Sequence, residues 1–234
     1  MKKIVIPFLC LLTTILSGCK KDIANEYFGQ MPAIVKYQLG QVMLDTGVEL
    51  YYAPTLADKP ISEGDVLWLD LRINYDNQPS KEYITITEIR AYMIIDSNMP
   101  EETPGGKSTT DAYDIPITDV NIYPIRIGNY LIFFFQQKMT SDQLMFYEMT
   151  YASDEEGGIP TLYIRARKDN SGTGSEDYYN YPFAFNMTPY IEHYMGASEK
   201  IEIIFKYKTG VNEEGYDVYN NYLYNPLTWN NSSD

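Results

Sequence analysis

From residue 64 the chain reads GDVLWLDLRINYD, and its polarity switches at almost every step. Successive side chains of an extended strand point to opposite faces. Leu67, Leu69, Leu71, Ile73 and Tyr75 therefore share one side, and Trp68, Asp70, Arg72 and Asn74 share the other. That pattern predicts a strand with one buried face. AIVKYQ (33–38), QVMLDTGVELYY (41–52) and KEYITITEIRAYMII (81–95) are also rich in β-branched and aromatic residues, with Asp45-Thr46-Gly47 as a tight turn. No window here repeats apolar residues at helical spacing behind a cap. Four or five strands within about 65 residues, with no helix between them, predict a small barrel or a strongly coiled sheet over 31–96.

The pattern lapses at SNMPEETPGGKSTTD, 97–111, where Met99 is the only apolar side chain of any size and two prolines and two glycines interrupt. Such a stretch predicts a linker or long exposed loop, and a domain boundary. Beyond it, Gly128-Asn129 sits between two apolar runs as a two-residue hairpin turn requires. YLIFFF (130–135) is apolar without a break, so both of its faces are expected to be covered. LMFYEMTYA, TLYIRARK, YPFAFNM and KIEIIFKYK follow as strands between polar turns. In the last, Ile201, Ile203, Phe205 and Tyr207 are expected inward, and Glu202, Lys206 and Lys208 outward. A short helical turn is expected from Thr188, with Pro189 behind the cap. Six or seven strands over about 120 residues predict an antiparallel β-sandwich at 112–234.

The N-terminus obeys different rules. Met1-Lys2-Lys3 is basic, and the apolar run from Ile4 to Leu16 is shorter than the roughly 20 residues that span a bilayer. Residues 1–18 therefore read as a secretory signal peptide. Ser17-Gly18 before Cys19 resembles the lipobox of bacterial lipoproteins. That resemblance implies a diacylglycerol on the Cys19 thiol, cleavage before Cys19 and an acylated new terminus. Two or more acyl chains, at roughly 0.8 kcal/mol per buried methylene, hold a protein stably where one does not. Residues 19–30 then form a tether. The other cysteine, Cys10, lies in the discarded segment, so the mature chain has no partner for a disulfide.

Charge narrows the partners. Losing Lys2 and Lys3 takes Lys plus Arg from 18 to 16 against 32 acids, a mature charge of about −16. An acidic body repels phosphate backbones, which argues against nucleic acid, and it does not lie flat on anionic lipid without the acyl chains. Twenty-three tyrosines, with 9 Phe and 2 Trp, are incompatible with disorder.

Several of these residues, in this order, resemble the NigD-like lipoprotein family over nearly the whole mature chain. The likeness lies in the lipobox at Cys19, Gly64-Asp65-Val66, and ITITEI at 84–89. It continues with IRIGNYL at 125–131, LYIR at 162–165, and Phe183-Ala184-Phe185 ahead of Thr188-Pro189. The resemblance implies an all-β chain, an OB-like barrel followed by a β-sandwich, on the outer membrane. It also implies an association with a bacteriocin gene cluster, hence an immunity role, and it supplies no catalytic residue. Lys20-Lys21-Asp22 departs from the acidic residues that follow the cysteine in most such proteins, which leaves the cell surface and the periplasmic face both open.

Candidate chemistry is sparse. PGGKST (104–109) lacks the first glycine of a phosphate loop; Glu101 stands there and repels phosphate. DNSGTGSED (169–177) offers Asp169, Ser171, Thr173 and Asp177 oxygens to calcium, but its twelfth position is Asn180, which cannot chelate as an EF-hand glutamate does, and a solvated hairpin tip is the plainer reading. His193 is the single histidine, without partners for a zinc or copper site or a nucleophile elbow for a triad. We expect no enzyme activity, no cofactor and no metal site. Sixteen of the tyrosines follow residue 111, several among polar neighbours, as in EDYYNYP. Tyrosine and asparagine together give stacking faces and adaptable hydrogen bonds. Tyr178, Tyr179 and Tyr181 are the expected recognition surface for a protein or glycan partner. The sequence thus points to a lipid-anchored envelope protein that binds or scaffolds, with an immunity or inhibitor protein, or a glycan-binding or adhesin component, as the alternatives.

Overall fold

In the computed structural model, residues 25–110, 115–120, 124–152, 161–169, 172–194 and 200–228 are described. Three sheets account for them, with strands numbered along the chain. The first sheet holds β1 (Glu26–Gln38), β2 (Gln41–Asp45), β3 (Leu50–Tyr52), β4 (Val66–Asn74), β5 (Ile84–Thr85) and β6 (Glu88–Ile95), in the order β5-β3-β2-β1-β4-β6. The second holds β7 (Ser97–Asn98), β9 (Asp119–Val120), β10 (Ile125–Ile127), β11 (Tyr130–Met139) and β14 (Asp177–Asn186), ordered β10-β11-β14-β7 with β9 also on β11. The third, ordered β16-β15-β13-β12-β8, holds β8 (Glu101–Glu102), β12 (Met145–Tyr151), β13 (Thr161–Lys168), β15 (Lys200–Val211) and β16 (Asp217–Thr228). One helix, α1 (Thr188–Tyr194), starts where the sequence placed it.

β1 begins at Glu26, ahead of the Met31 expected from the sequence, and pairs with β4 from Glu26↔Asn74 to Ile34↔Val66. The alternation in β4 is realised: Leu67, Leu69, Leu71 and Ile73 are fully buried in a core shared with Ala33, Val35, Val42, Leu44 and Tyr51. Gln38 and Gln41 face each other across a two-residue turn at Leu39-Gly40, both with positive φ, the hand that matches strand twist. This sheet coils strongly without closing into the expected OB-like barrel. β5 and β6 share no ladder. Instead the chain passes from one edge strand to the other through Ile86 and Thr87, whose amides donate to Tyr52 O of β3 and Arg72 O of β4. β5 is two residues long, too short to carry a closing ladder.

The second and third sheets form a sandwich around Phe133, Phe135, Phe183, Phe185, Phe205 and Tyr147. Burying one such ring contributes roughly 1.5–3 kcal/mol. The sandwich is mixed and not purely antiparallel, because β13–β15, β12–β8 and β14–β7 pair in parallel. Parallel pairing needs long crossovers, and the chain supplies them through the 97–110 stretch and through α1. β11 is covered on both faces, as its unbroken apolar run requires. Leu131, Phe133 and Phe135 enter the sandwich core, while Ile132 enters a smaller core with Ile34, Val66, Ile95, Ile127 and Ala184 that joins the first sheet to the second. Trp68 meets Phe134 edge-on across that junction, 5.2 Å between centroids.

Residues 97–110, expected as a linker, carry β7, β8 and a 3-10 turn at Pro104–Gly106. β7 lies on β14 and β8 on β12, so this stretch touches both sheets of the sandwich.

Candidate functional site

A groove lies on the outer side of β2 and β3 of the first sheet. The side chains of Met43 and Leu50 alternate away from the core and form its floor, and the loop 78–84 forms one wall. Two cavities, about 360 Å³ and about 140 Å³, meet at Leu50, Glu82 and Tyr83. The larger is edged by Val48, Glu49, Gln78, Ser80 and Lys81, and the smaller by Gln38, Leu39 and Gln41. They form a groove running between two hairpin tips. Each tip presents an apolar side chain to water: Leu39 is 97% exposed and Val48 91%.

Local hydrogen bonds hold this shape. The Gly47 amide donates to Asp45 Oδ1 at 2.7 Å, and Thr46 and Glu49 bond reciprocally, so the Val48 tip is set by an Asx turn. Gln78 Nε2 donates to Asn74 O and Thr85 O, and its Oε1 accepts from the Thr85 amide at 2.6 Å, which pins the base of the 78–84 loop. Tyr83 stands edge-on to Tyr52 at 5.6 Å. Beneath the rim, Tyr51 donates to Glu49 Oε2 at 2.8 Å; burial first, then this carboxylate, push the phenol up.

A second uncovered area lies on the outer side of β1, β4 and β6. Phe28 is 55% exposed, with the Arg72 guanidinium 5.2 Å and the Arg90 guanidinium 6.0 Å from its centroid. Arg72 donates to Glu26 at 2.6 Å, a bond that raises its pKa, and Arg90 pairs with Asp70. Arg90 occupies a bulge, since Asp70 pairs with Ala91 and Leu71 with Ile89.

The outer side of the third sheet is handled differently. There Arg165 and Glu148, 5% and 4% exposed, lie 3.6 Å apart under the 103–110 segment. Arg165 donates to Thr150 Oγ1 and Gly106 O, both at 2.7 Å, and to Tyr219 Oη at 3.0 Å. Glu148 accepts from the amide and hydroxyl of Thr109. Burying charges costs several kcal/mol per ion unless hydrogen bonds replace water. The polar strap supplies those bonds, which accounts for its composition.

The expected recognition tyrosines do not form one surface. Tyr178 and Tyr179 alternate to opposite faces of β14 and are 57% and 38% exposed. Tyr181 packs at the rim of the sandwich core and donates to Asp96 at 2.8 Å; burial, then Asp96, push its phenol up to about 12. In the 169–177 loop, Thr173 spends its amide and hydroxyl on Asp142, which also accepts from Thr140 and is held down to about 2 by these bonds. No group of three His, Cys, Asp or Glu with metal-site geometry occurs among the described residues. Cys19 and the side chain of His193 lie outside the described residues. Leu39, Val48 and Tyr83 were not singled out from the sequence; the one available signal was an apolar side chain beside a turn glycine, at Leu39-Gly40 and Gly47-Val48.

No protein-family model matches the sequence, and no curated protein is similar to it. Solved structures do match. An uncharacterised protein from Parabacteroides merdae aligns over 85% of this chain and 96% of its own, at 14% identity and TM-score 0.63. A protein from Bacteroides fragilis, provisionally named a lipoprotein, aligns over 88% of this chain and 100% of its own, at 12% identity and TM-score 0.61. The chain has the fold of these Bacteroidales proteins. A NigD-like immunity protein from Bacteroides caccae also matches, over 87% of this chain and 97% of its own, at 15% identity and TM-score 0.49. Among the described residues no helix is long and apolar enough to cross a membrane.

Proposed function

We propose a lipid-anchored cell-envelope protein, held in the outer membrane through Cys19, that works by non-enzymatic binding in the β2–β3 groove. The groove is the observation that carries this reading. It has an apolar floor, a polar wall and an exposed aliphatic side chain at each end, the arrangement by which clefts engage a partner with few polar contacts. Leu39 adds weight, because a β-turn residue with φ of 53° and a bulky side chain is strained as well as exposed. The buried charges give no competing candidate, since Arg165 and Glu148 are engaged in fastening the strap.

A photoreactive residue placed at Val48 is expected to cross-link one envelope component in intact cells, and the same residue at Val211, exposed on the far sheet, is not. Equal capture at both positions would remove the groove from the account. The immunity or inhibitor reading places a protein toxin in the same groove, in keeping with the name of the Bacteroides caccae protein. Expression that protects a sensitive strain from a bacteriocin supports it. A glycan panel separates the carbohydrate reading: binding abolished by Tyr83→Ala supports a sugar in the groove, and binding abolished only by Tyr178→Ala and Tyr179→Ala moves it to β14.

A further inference from the structure

The chain enters the first sheet at a fixed point. The Asn25 amide donates to Asp76 Oδ2 at 2.9 Å, and Asn25 O accepts from the Tyr75 amide at 2.8 Å. Asn25 is therefore pinned to the 3-10 turn Tyr75–Asn77 at the end of β4. Only six residue steps separate it from Cys19. A fully extended chain covers at most about 3.3–3.6 Å per residue, so this end of the sheet stays within about 20 Å of the acylated sulfur.

Two features at that end suit a lipid surface. Phe28 is 55% exposed with two guanidinium groups over its ring, and aromatic rings flanked by arginine settle at the level of lipid headgroups. The charge there also differs from that of the body. Arg72 and Arg90 neutralise Glu26 and Asp70, leaving Asp76 and Glu88, while the tether adds Lys20 and Lys21 against Asp22. This end is close to neutral on a chain of about −16, so it is the side that anionic headgroups repel least.

We propose that Phe28, with Arg72 and Arg90 beside it, rests against the headgroups of the bilayer that holds the acyl chains. The contact rests on the lipid-anchor reading of Cys19, and it fixes the orientation of the body. Leu39 lies at the other end of β1, a 13-residue strand from Glu26, so the Leu39 tip of the groove is remote from the lipid.

Spin labels test this directly, because acylation consumes the Cys19 thiol and the mature chain has no other cysteine. Acylated Phe28→Cys and Leu39→Cys proteins are each labelled with a nitroxide and reconstituted into phosphatidylethanolamine–phosphatidylglycerol vesicles. The expected result is a several-fold rise in the oxygen-to-nickel collision ratio at position 28 on vesicle binding, with no change at 39. Vesicle-bound protein with both labels equally aqueous overturns the contact and leaves the anchor standing. Protein that does not float with vesicles overturns the anchor and the contact with it. A label at 28 that is shielded in native membranes but aqueous in pure lipid assigns the face to a protein and overturns the proposal.

Discussion

Arg165 and Arg90 each stand on the outer side of a sheet beside a carboxylate, and the chain treats them in opposite ways. Over Arg165 it lays the 103–110 strap, so water is excluded and each donor needs a protein partner. Over Arg90 no described segment is laid, and the pair with Asp70 stays 45% and 30% exposed. The same residue pairing is thus a fastening in the sandwich and a solvated ornament on the first sheet. Covering, more than charge, decides which face is structural and which is free to meet something else.

The comparison is broken most severely by Arg165→Ala. It leaves Glu148 buried without its counter-ion, and a loss of about 3–5 kcal/mol is expected in urea unfolding. The double change Arg165→Met with Glu148→Leu is expected to recover most of that. A loss under about 1 kcal/mol for the single change would mean that water reaches the pair. Gly106→Ala attacks the strap from above, since a Cβ there runs into the Tyr163 ring and φ is +65°. About 1–3 kcal/mol is expected, together with faster amide exchange at Thr103 and Thr109.

On the uncovered side, Leu39→Asn is expected to stabilise by roughly 1 kcal/mol, because asparagine tolerates the left-handed conformation that leucine resists. Stabilisation accompanied by loss of the Val48 cross-link would mark Leu39 as kept for contact. Asp142 belongs to an exposed cluster and responds to pH. Its carboxylate is held from 3.8 down to about 2, so its contribution is complete above pH 3.8 and is lost as the pH falls through 2. Asp142→Asn is expected to flatten the thermal midpoint between those two pH values; an unchanged acid slope would exclude this group. Smallest of all, Arg90→Ala is expected to leave the urea midpoint almost where it was, since exposed pairs contribute little.

The strands were largely legible because hydrophobic alternation reports directly on burial. Leu67 to Ile73 in β4, the unbroken run at the head of β11 and the Gly128-Asn129 turn all took the positions their patterns required. What alternation leaves out is the identity of the cover. Lys208, outward by pattern, is 4% exposed, and the Ile117 amide donates to Lys208 O, so another stretch of chain lies along β15 there. Polar strap residues look the same in sequence as polar linker residues, because Thr109 bonds Glu148 as readily as it would bond water. Barrel closure was equally hidden, since it depends on whether two edges share a ladder and not on how many strands there are. The groove escaped notice for a related reason: Leu39 and Val48 are single apolar letters in polar turns, Tyr83 falls in a run read as strand, and only the folded sheet brings them together.

The strap has one further consequence, for how this protein can be cut and inherited. Severing the chain at 111 would yield a sandwich stripped of β7, β8 and the roof over Arg165, with an open charged wound in place of a finished surface. The two halves are poor candidates for shuffling as separate modules. Evolution has to copy them, or discard them, together.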